Sequence, residues 1–223
     1  MRQIPLPIGV EHEPTFDRFL TGPNAAAVQH LRSLAMPAAP VYLWGPAGSG
    51  KTHLLGALVH QVRQTGGLAA AFDAQALAPW TLGPAWTLAV IDQCEALDAQ
   101  RQAAAFRLFV EAAAHGVQIV AAGRLPPVDL PLREDLRTRL GWGHVFALAP
   151  LSDAETRAAL RREFDRRGIF LPDDLMDHLL TRFARDLKHL MGLLDRLDQY
   201  ALARKRNVTL ALLRQMLNEE GPE

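Results

Sequence analysis

A single cysteine, Cys94, stands among 223 residues, so no internal disulfide can form and a reducing compartment is expected. Neither sign of charge is in excess, with 24 acidic residues against 24 basic ones. The chain therefore has no global positive field for nucleic acid, and any DNA contact has to be local or come through a partner. No apolar run approaches the roughly 20 residues that a membrane-spanning helix needs. The start, Met1-Arg2-Gln3, lacks the apolar core of a signal peptide. A cytoplasmic location without membrane contact is expected. The eight histidines show no grouping with Cys94 or with acids of the kind that holds a metal. Internal repeats and low-complexity tracts are missing too, and alanine-rich patches such as Ala103-Ala104-Ala105 suit helices.

What is present is concentrated in Gly45-Pro46-Ala47-Gly48-Ser49-Gly50-Lys51-Thr52, a full match to the pattern G-x-x-x-x-G-K-[ST]. It follows the apolar run Val41-Tyr42-Leu43-Trp44, the context in which this pattern cradles phosphates. Its glycines let successive backbone N–H groups turn toward phosphate oxygens. Lys51 adds a mobile positive charge near the outer phosphates, and Thr52 offers a hydroxyl to Mg²⁺. The expected cofactors are ADP or ATP with Mg²⁺. His53, the next residue, is counted with this cradle, although its ring also suits helix packing.

Short apolar runs alternate with helical stretches, the pattern of a parallel sheet wrapped by helices. Strands are predicted at Val41 to Trp44, Leu68 to Phe72, Leu88 to Ile91, Val117 to Ala121 and Val145 to Leu148. Helices are predicted at Asn24 to Ala35, Lys51 to Thr65, Ala99 to His115 and Pro131 to Leu140, the last with proline in its first turn. After Pro150 only helical signals remain: Ser152 to Arg167 behind a Ser-Asp-Ala-Glu capping box, Pro172 to Ala184, Arg185 to Lys205 and Thr209 to Asn218. The predicted fold class is α/β, a five-stranded parallel sheet followed by a small all-helical domain. Residues 1–14 form an N-terminal segment, 15–150 the α/β domain and 151–223 the helical one.

Leu88-Ala89-Val90-Ile91-Asp92 supplies the second element of a phosphate site, an acid at the carboxyl end of a buried strand. Asp92 is placed to hold Mg²⁺ directly or through water. In hydrolysing enzymes of this class the next residue is commonly an acid that polarises the attacking water, and here it is Gln93. An amide cannot take a proton at neutral pH, so the general base is missing from that position. Glu95, two residues further on, substitutes only if the strand extends, because side chains two apart share one face. Otherwise it is a solvated residue at a helix entrance.

Together with this loop and Asp92, the segments Leu136-Arg137-Thr138-Arg139-Leu140-Gly141-Trp142-Gly143 and Arg185-Asp186-Leu187 make the chain resemble the AAA+ module of the bacterial DnaA family of replication proteins, from Thr15-Phe16-Asp17 to Leu217. Within that family it is most similar to the regulatory inactivators of the initiator. No helix-turn-helix segment follows the helical lid before Glu223, and Gln3-Ile4-Pro5-Leu6-Pro7-Ile8 resembles their short clamp-binding motif. Pro5 and Pro7 bias that hexapeptide to an extended form, and Ile4, Leu6 and Ile8 offer apolar anchors for a groove. The family motif prefers leucine where Ile4 and Ile8 stand; an N-terminal strand or tether packing on its own domain is the alternative, and the resemblance favours the clamp-binding reading.

The resemblance implies an AAA+ P-loop core with a lid, and as partners the initiator DnaA, the sliding clamp (the β subunit of DNA polymerase III), DNA through these two, and further copies of the chain. It makes Arg139 an arginine finger acting in trans on a neighbour's γ-phosphate, and Arg185 the lid arginine directed at nucleotide in the same subunit. On helix position alone, a surface ion pair of Arg139 with Glu134 or Asp135 is the simpler expectation, and Arg137 points elsewhere. The fourth strand, Val120-Ala121-Ala122-Gly123-Arg124, has alanine and glycine where relatives usually carry an acid. Like Gln93, this implies weak hydrolysis in the chain's own site. Phe16-Asp17 would run near the nucleotide base, and the basic cluster Arg204-Lys205-Arg206 suits either DNA phosphates or a helix dipole. The implied function is stimulation of DnaA-bound ATP hydrolysis on the clamp, preventing re-initiation. The alternative is an autonomous AAA+ ATPase, a helicase loader or other replication adaptor, with Glu95 as its catalytic carboxylate.

Overall fold

The computed structural model describes residues 13–83, 85–183 and 187–220. It divides into two compact units, with the boundary between Pro150 and Leu151.

The first unit is built on β1 (Val41–Trp44), β2 (Leu68–Phe72), β3 (Trp86–Ile91), β4 (Gln118–Gly123) and β5 (His144–Ala147). All neighbouring strands are parallel, in the order β2-β3-β4-β1-β5. Because side chains alternate across a strand, the two faces of this sheet feed two separate cores. Val41, Leu43, Leu88, Val90, Val120 and Ala122 join one, while Tyr42, Ala89, Ile91, Ile119 and Ala121 join the other. The first core is closed by α1 (Ala25–Arg32) and α2 (Lys51–Gln64), and the second by α3 (Ala99–His115) and α4 (Glu134–Gly141). The result is a three-layer α/β/α unit.

Most element boundaries fall where the sequence puts them, and the exceptions have local causes. β3 begins at Trp86, two residues early, and β4 runs on to Gly123, where it still pairs with Trp44 of β1. α1 stops at Arg32: the Ser33 N–H still bonds the Gln29 carbonyl, but the next bond tightens to Leu34 N–H on the Leu31 carbonyl at 3.4 Å. The predicted start of α4 at Pro131 is wrong. Leu130 and Leu132 are both buried in the core, and the chain between them bends, with the Leu132 N–H closing on the Leu130 carbonyl at 2.8 Å, so the helix opens only at Glu134. The Arg133 N–H that precedes it is taken by the Gln102 side chain of α3 at 3.0 Å.

The second unit is helical: α5 (Asp153–Arg166), α6 (Asp173–Arg182), α7 (Leu187–Arg204) and α8 (Leu210–Glu220). Ser152 and Glu155 form the predicted capping box at the start of α5, and Pro172 caps α6. Leu190, Leu194 and Leu197, the apolar stripe of α7, are fully buried against Phe164, Leu175, Leu179, Leu212 and Met216. α7 ends at Arg204, and the left-handed Lys205 that follows lets the Arg206 N–H close on the Ala201 carbonyl at 3.0 Å.

Arg166 and Arg167, both hydrogen-bonded to Glu163, hold its carboxyl at about 2 against its partial burial. A depressed acid stabilises the fold above its ordinary value of 4.5 and loses that contribution as pH falls through about 2. Glu163→Gln is expected to lower stability at neutral pH and to flatten the acid limb between those two values, measured by denaturation of the whole chain across pH.

Candidate functional site

The loop after β1 turns through three glycines with positive φ, Gly45 (+156°), Gly48 (+76°) and Gly50 (+90°), before α2 begins at Lys51. A Cβ on Gly50 would lie 2.4 Å from Cε2 of Phe19, so both backbone and packing require glycine there. Pro46, Ala47 and Gly48 form the exposed tip, and Ser49 is buried beneath it. The Lys51 ammonium donates to the carbonyls of Gly45 and Pro46, each at 2.7 Å, and to Ser49 Oγ at 3.3 Å. It lies folded over the loop that phosphates would share.

β3 delivers Asp92 beside this loop. Thr52 Oγ1 donates to Asp92 Oδ2 at 2.5 Å, and Asp92 Oδ1 accepts the Gln93 N–H at 2.8 Å. A hydroxyl and a carboxylate in contact are hard oxygen donors of the kind Mg²⁺ takes, with phosphate and water as its other ligands. Among the described residues no group of three or more His, Cys, Asp or Glu could hold a metal by itself.

Beyond Asp92 the strand does not extend. Gln93 takes a left-handed backbone (φ 55°, ψ 44°), and a 3-10 turn over Cys94–Ala96 follows. The condition under which Glu95 would share a face with the strand residues therefore fails. Instead Glu95 Oε2 accepts the Arg124 N–H at 3.0 Å, while Oε1 lies 3.2 Å from Arg124 Nε. The sequence reading missed this pair. A Cβ on Gly123 would fall 2.2 Å from the hydroxyl of Tyr42 and 3.1 Å from Glu95 Oε2. The end of β4 is closed to any side chain there, and the carboxylate beside it comes from Glu95. Tyr42 donates to the Leu125 carbonyl at 3.0 Å, and burial pushes its phenol well above the usual range. Burial raises the neighbouring Cys94 thiol in the same way, which keeps it neutral.

His53 turns toward the segment before α1. Its Nε2 lies 2.8 Å from the Thr15 carbonyl, and its ring sits 5.6 Å from that of Phe19. Burial lowers its pKa, so the neutral ring donates to this carbonyl. Phe16 is buried, with the Arg32 guanidinium 5.5 Å from its ring, and Asp17 pairs with Arg32 at 2.9 Å. Residues Thr15 to Phe19 thus form a strap across the start of α2.

On the other face of the sheet, α4 carries Arg139 in its last turn. Its guanidinium sits 5.7 Å from the centre of the Phe106 ring. The expected ion pair with Glu134 or Asp135 is not made, since Asp135 pairs with Arg133 at 2.6 Å. Among the described residues, no carboxylate pairs with Arg139. An open hollow of about 720 Å³ lies here, lined by Phe106, Arg133, Glu134, Asp135, Thr138 and Arg139. Arg137 points away and donates to the Val128 carbonyl at 3.3 Å. Of the basic cluster in the lid, Arg204 pairs with Glu219 at 2.5 Å and Arg206 bonds Gln215 at 3.0 Å. Gln3 to Ile8 and Arg185 lie outside the described residues. No helix among the described residues is long and apolar enough to cross a membrane.

Two sequence families match the chain: "Hda, lid domain" over residues 153–217 and "Bacterial DnaA ATPase domain" over residues 10–68. Among solved structures, domain III of Thermotoga maritima DnaA superimposes with a TM-score of 0.76 at 21% identity, over 93% of this chain and 97% of that one. AMPPCP-bound DnaA from Aquifex aeolicus gives 0.68 at 19% identity, over 85% of this chain and 66% of that one. The Thermotoga maritima RuvB Holliday junction branch migration motor gives 0.66 at 17% identity, over 92% of this chain and 72% of that one. At these identities the structural likenesses establish the fold, a P-loop core of the DnaA and RuvB type.

Gly50→Ala tests the cradle. The positive φ costs about 1–2 kcal/mol for a residue with a Cβ, and the new methyl meets Phe19. ADP and ATP binding, followed with a fluorescent analogue, is expected to weaken at least roughly tenfold, the equivalent of about 1.4 kcal/mol. Adding Phe19→Ala removes the clash but not the backbone strain, so recovery should be partial. Unchanged affinity in Gly50→Ala would mean that nucleotide does not sit on this loop.

Proposed function

We infer that this chain, an AAA+ protein related to Hda and DnaA, regulates replication by acting on nucleotide bound to a DnaA initiator. It holds ADP or ATP on Gly45 to Thr52, with Thr52 and Asp92 as the groups for Mg²⁺. Mg²⁺, when bound, neutralises phosphate charge. Its residues 3–8 dock it on the DNA-loaded sliding clamp, and Arg139 enters the initiator's site.

One observation carries this reading. Arg139 is held at the rim of an open hollow by an aromatic ring, and among the described residues no carboxylate pairs with it. In ATP hydrolysis water attacks the γ-phosphorus, the bond to the β-phosphate oxygen breaks, and ADP and phosphate leave with negative charge spread over the γ-oxygens. A guanidinium brought to those oxygens in a water-excluded interface stabilises that charge, an effect of roughly 10³ to 10⁵ in rate for arginine fingers. The position of α4 favours action in trans. Leu136 and Leu140 fix it in the core on one sheet face, while α2, which carries Lys51 and Thr52, packs on the opposite face.

The chain's own site is better equipped to bind than to hydrolyse. Gln93 has no basic lone pair to offer water, and the Glu95 carboxylate is engaged by Arg124. An autonomous ATPase would require Glu95 to leave that pair, and robust turnover by the isolated protein that disappears in Glu95→Gln would replace the present reading.

The test is hydrolysis of DnaA-bound ATP with and without clamp loaded on DNA. Arg139→Ala should cut the stimulation by at least about a hundredfold while nucleotide binding persists, and Arg137→Ala should retain it. Deleting residues 3–8 should remove dependence on the clamp. Full stimulation by Arg139→Ala would sink the assignment.

A further inference from the structure

We propose that Phe106 is the positioning residue for Arg139, an inference that rests on the role given to Arg139 above. Phe106 lies on α3, one turn after Gln102 and on the same side of the helix. Gln102 is itself fixed, donating to the Leu97 carbonyl at 2.8 Å and accepting the Arg133 N–H at 3.0 Å. This sets where α4 begins. Leu136 and Leu140, both fully buried, then fix its rotation against the core. The backbone of Arg139 is thereby settled, but its long side chain still has freedom to lose.

The Phe106 ring removes that freedom without removing the charge. An aromatic face attracts a guanidinium through its quadrupole within about 6 Å and leaves the N–H donors free. A carboxylate would hold the arginine more strongly, but an incoming phosphate would then have to displace it. The neighbouring groups are arranged to avoid this. Arg133 shares the same ring at 6.0 Å, and its charge is answered by Asp135 at 2.6 Å. The Thr138 hydroxyl donates to the Glu134 carbonyl at 2.9 Å. Two cations share one ring, one neutralised by its own carboxylate and the other available to an anion.

The experiment is the DnaA-bound ATP hydrolysis assay on clamp-loaded DNA, read as maximal rate and half-saturating concentration, with melting of each variant followed in parallel. Phe106→Leu keeps bulk and loses the quadrupole. Its maximal rate should fall roughly five- to twentyfold, within what misplacement of a reacting group costs, while half-saturation moves less than about twofold. Phe106→Tyr, which restores the aromatic face, should restore the rate. Phe106→Leu combined with Arg139→Ala should be no slower than Arg139→Ala alone. If leucine lowers the melting temperature, Phe106→Met repeats the test with a more adaptable side chain. A wild-type rate in Phe106→Leu beside a dead Arg139→Ala overturns the positioning role and leaves the Arg139 reading standing. An active Arg139→Ala overturns that reading itself. A loss that tyrosine does not rescue, or that adds to Arg139→Ala, makes Phe106 merely structural.

Discussion

The parallel pairing of β1 with both β4 and β5 is the constraint on which the site depends. A parallel sheet brings the carboxyl ends of its strands to one edge, and here that edge collects the phosphate loop from β1, Asp92 from β3 and Arg124 from β4. The ladder continues one step past the strands, with the Gly45 N–H closing on the Gly123 carbonyl at 3.3 Å and the Leu148 N–H on the Trp44 carbonyl at 2.7 Å. The peptide joining Trp44 to Gly45 is thus held from both sides before the chain turns. Complete burial of Val41, Tyr42 and Leu43 makes the register of β1 costly to shift, since a slip of one residue would exchange the two cores.

The same register explains why the edge has its particular chemistry. Tyr42 projects from β1 into the second core and puts its hydroxyl where a side chain on Gly123 would begin. With that space filled, position 123 at the end of β4 has no room for an acid. The turn at Gln93 brings in Glu95 instead, and Arg124 binds it through both its backbone and its side chain. The pairing of Glu95 thus follows from packing as much as from chemistry. The loop keeps its glycines, Lys51 and Thr52, with Asp92 beside it, the groups proposed to bind nucleotide and Mg²⁺.

How far the sequence could be read follows from the range of the interactions involved. The strands, the loop and the capping box at Ser152 are written in local patterns: apolar runs, fixed glycine spacing and a Ser-to-Glu step of three. They could be placed without knowing the fold. The start of α4 could not, because Pro131 is a local helix signal that the burial of Leu130 and Leu132 overrides. The Glu95–Arg124 pair and the placing of Arg139 over Phe106 join residues about thirty apart through tertiary packing, and no spacing rule announces them. A glycine ending an otherwise apolar strand, Gly123, was the one sequence signal that something else approached closely there.

Arg139 has no carboxylate partner among the described residues, although two acids stand on its own helix. Glu134 and Asp135 occupy the first turn of α4, where they favour the helix dipole, and Arg139 occupies the last, where a cation does. Glu134 lies about a turn and a half from Arg139, and Asp135, one turn away and within pairing reach, is drawn off by Arg133. If α4 served only stability, joining Arg139 to one of these acids would gain little, since an exposed pair contributes about 0–1 kcal/mol. Leaving it apart therefore costs the fold almost nothing, while an anion arriving from another molecule meets a full charge already oriented. That asymmetry, negligible inside the chain and large at a phosphate, is the physical case for placing the chemistry of Arg139 outside its own subunit.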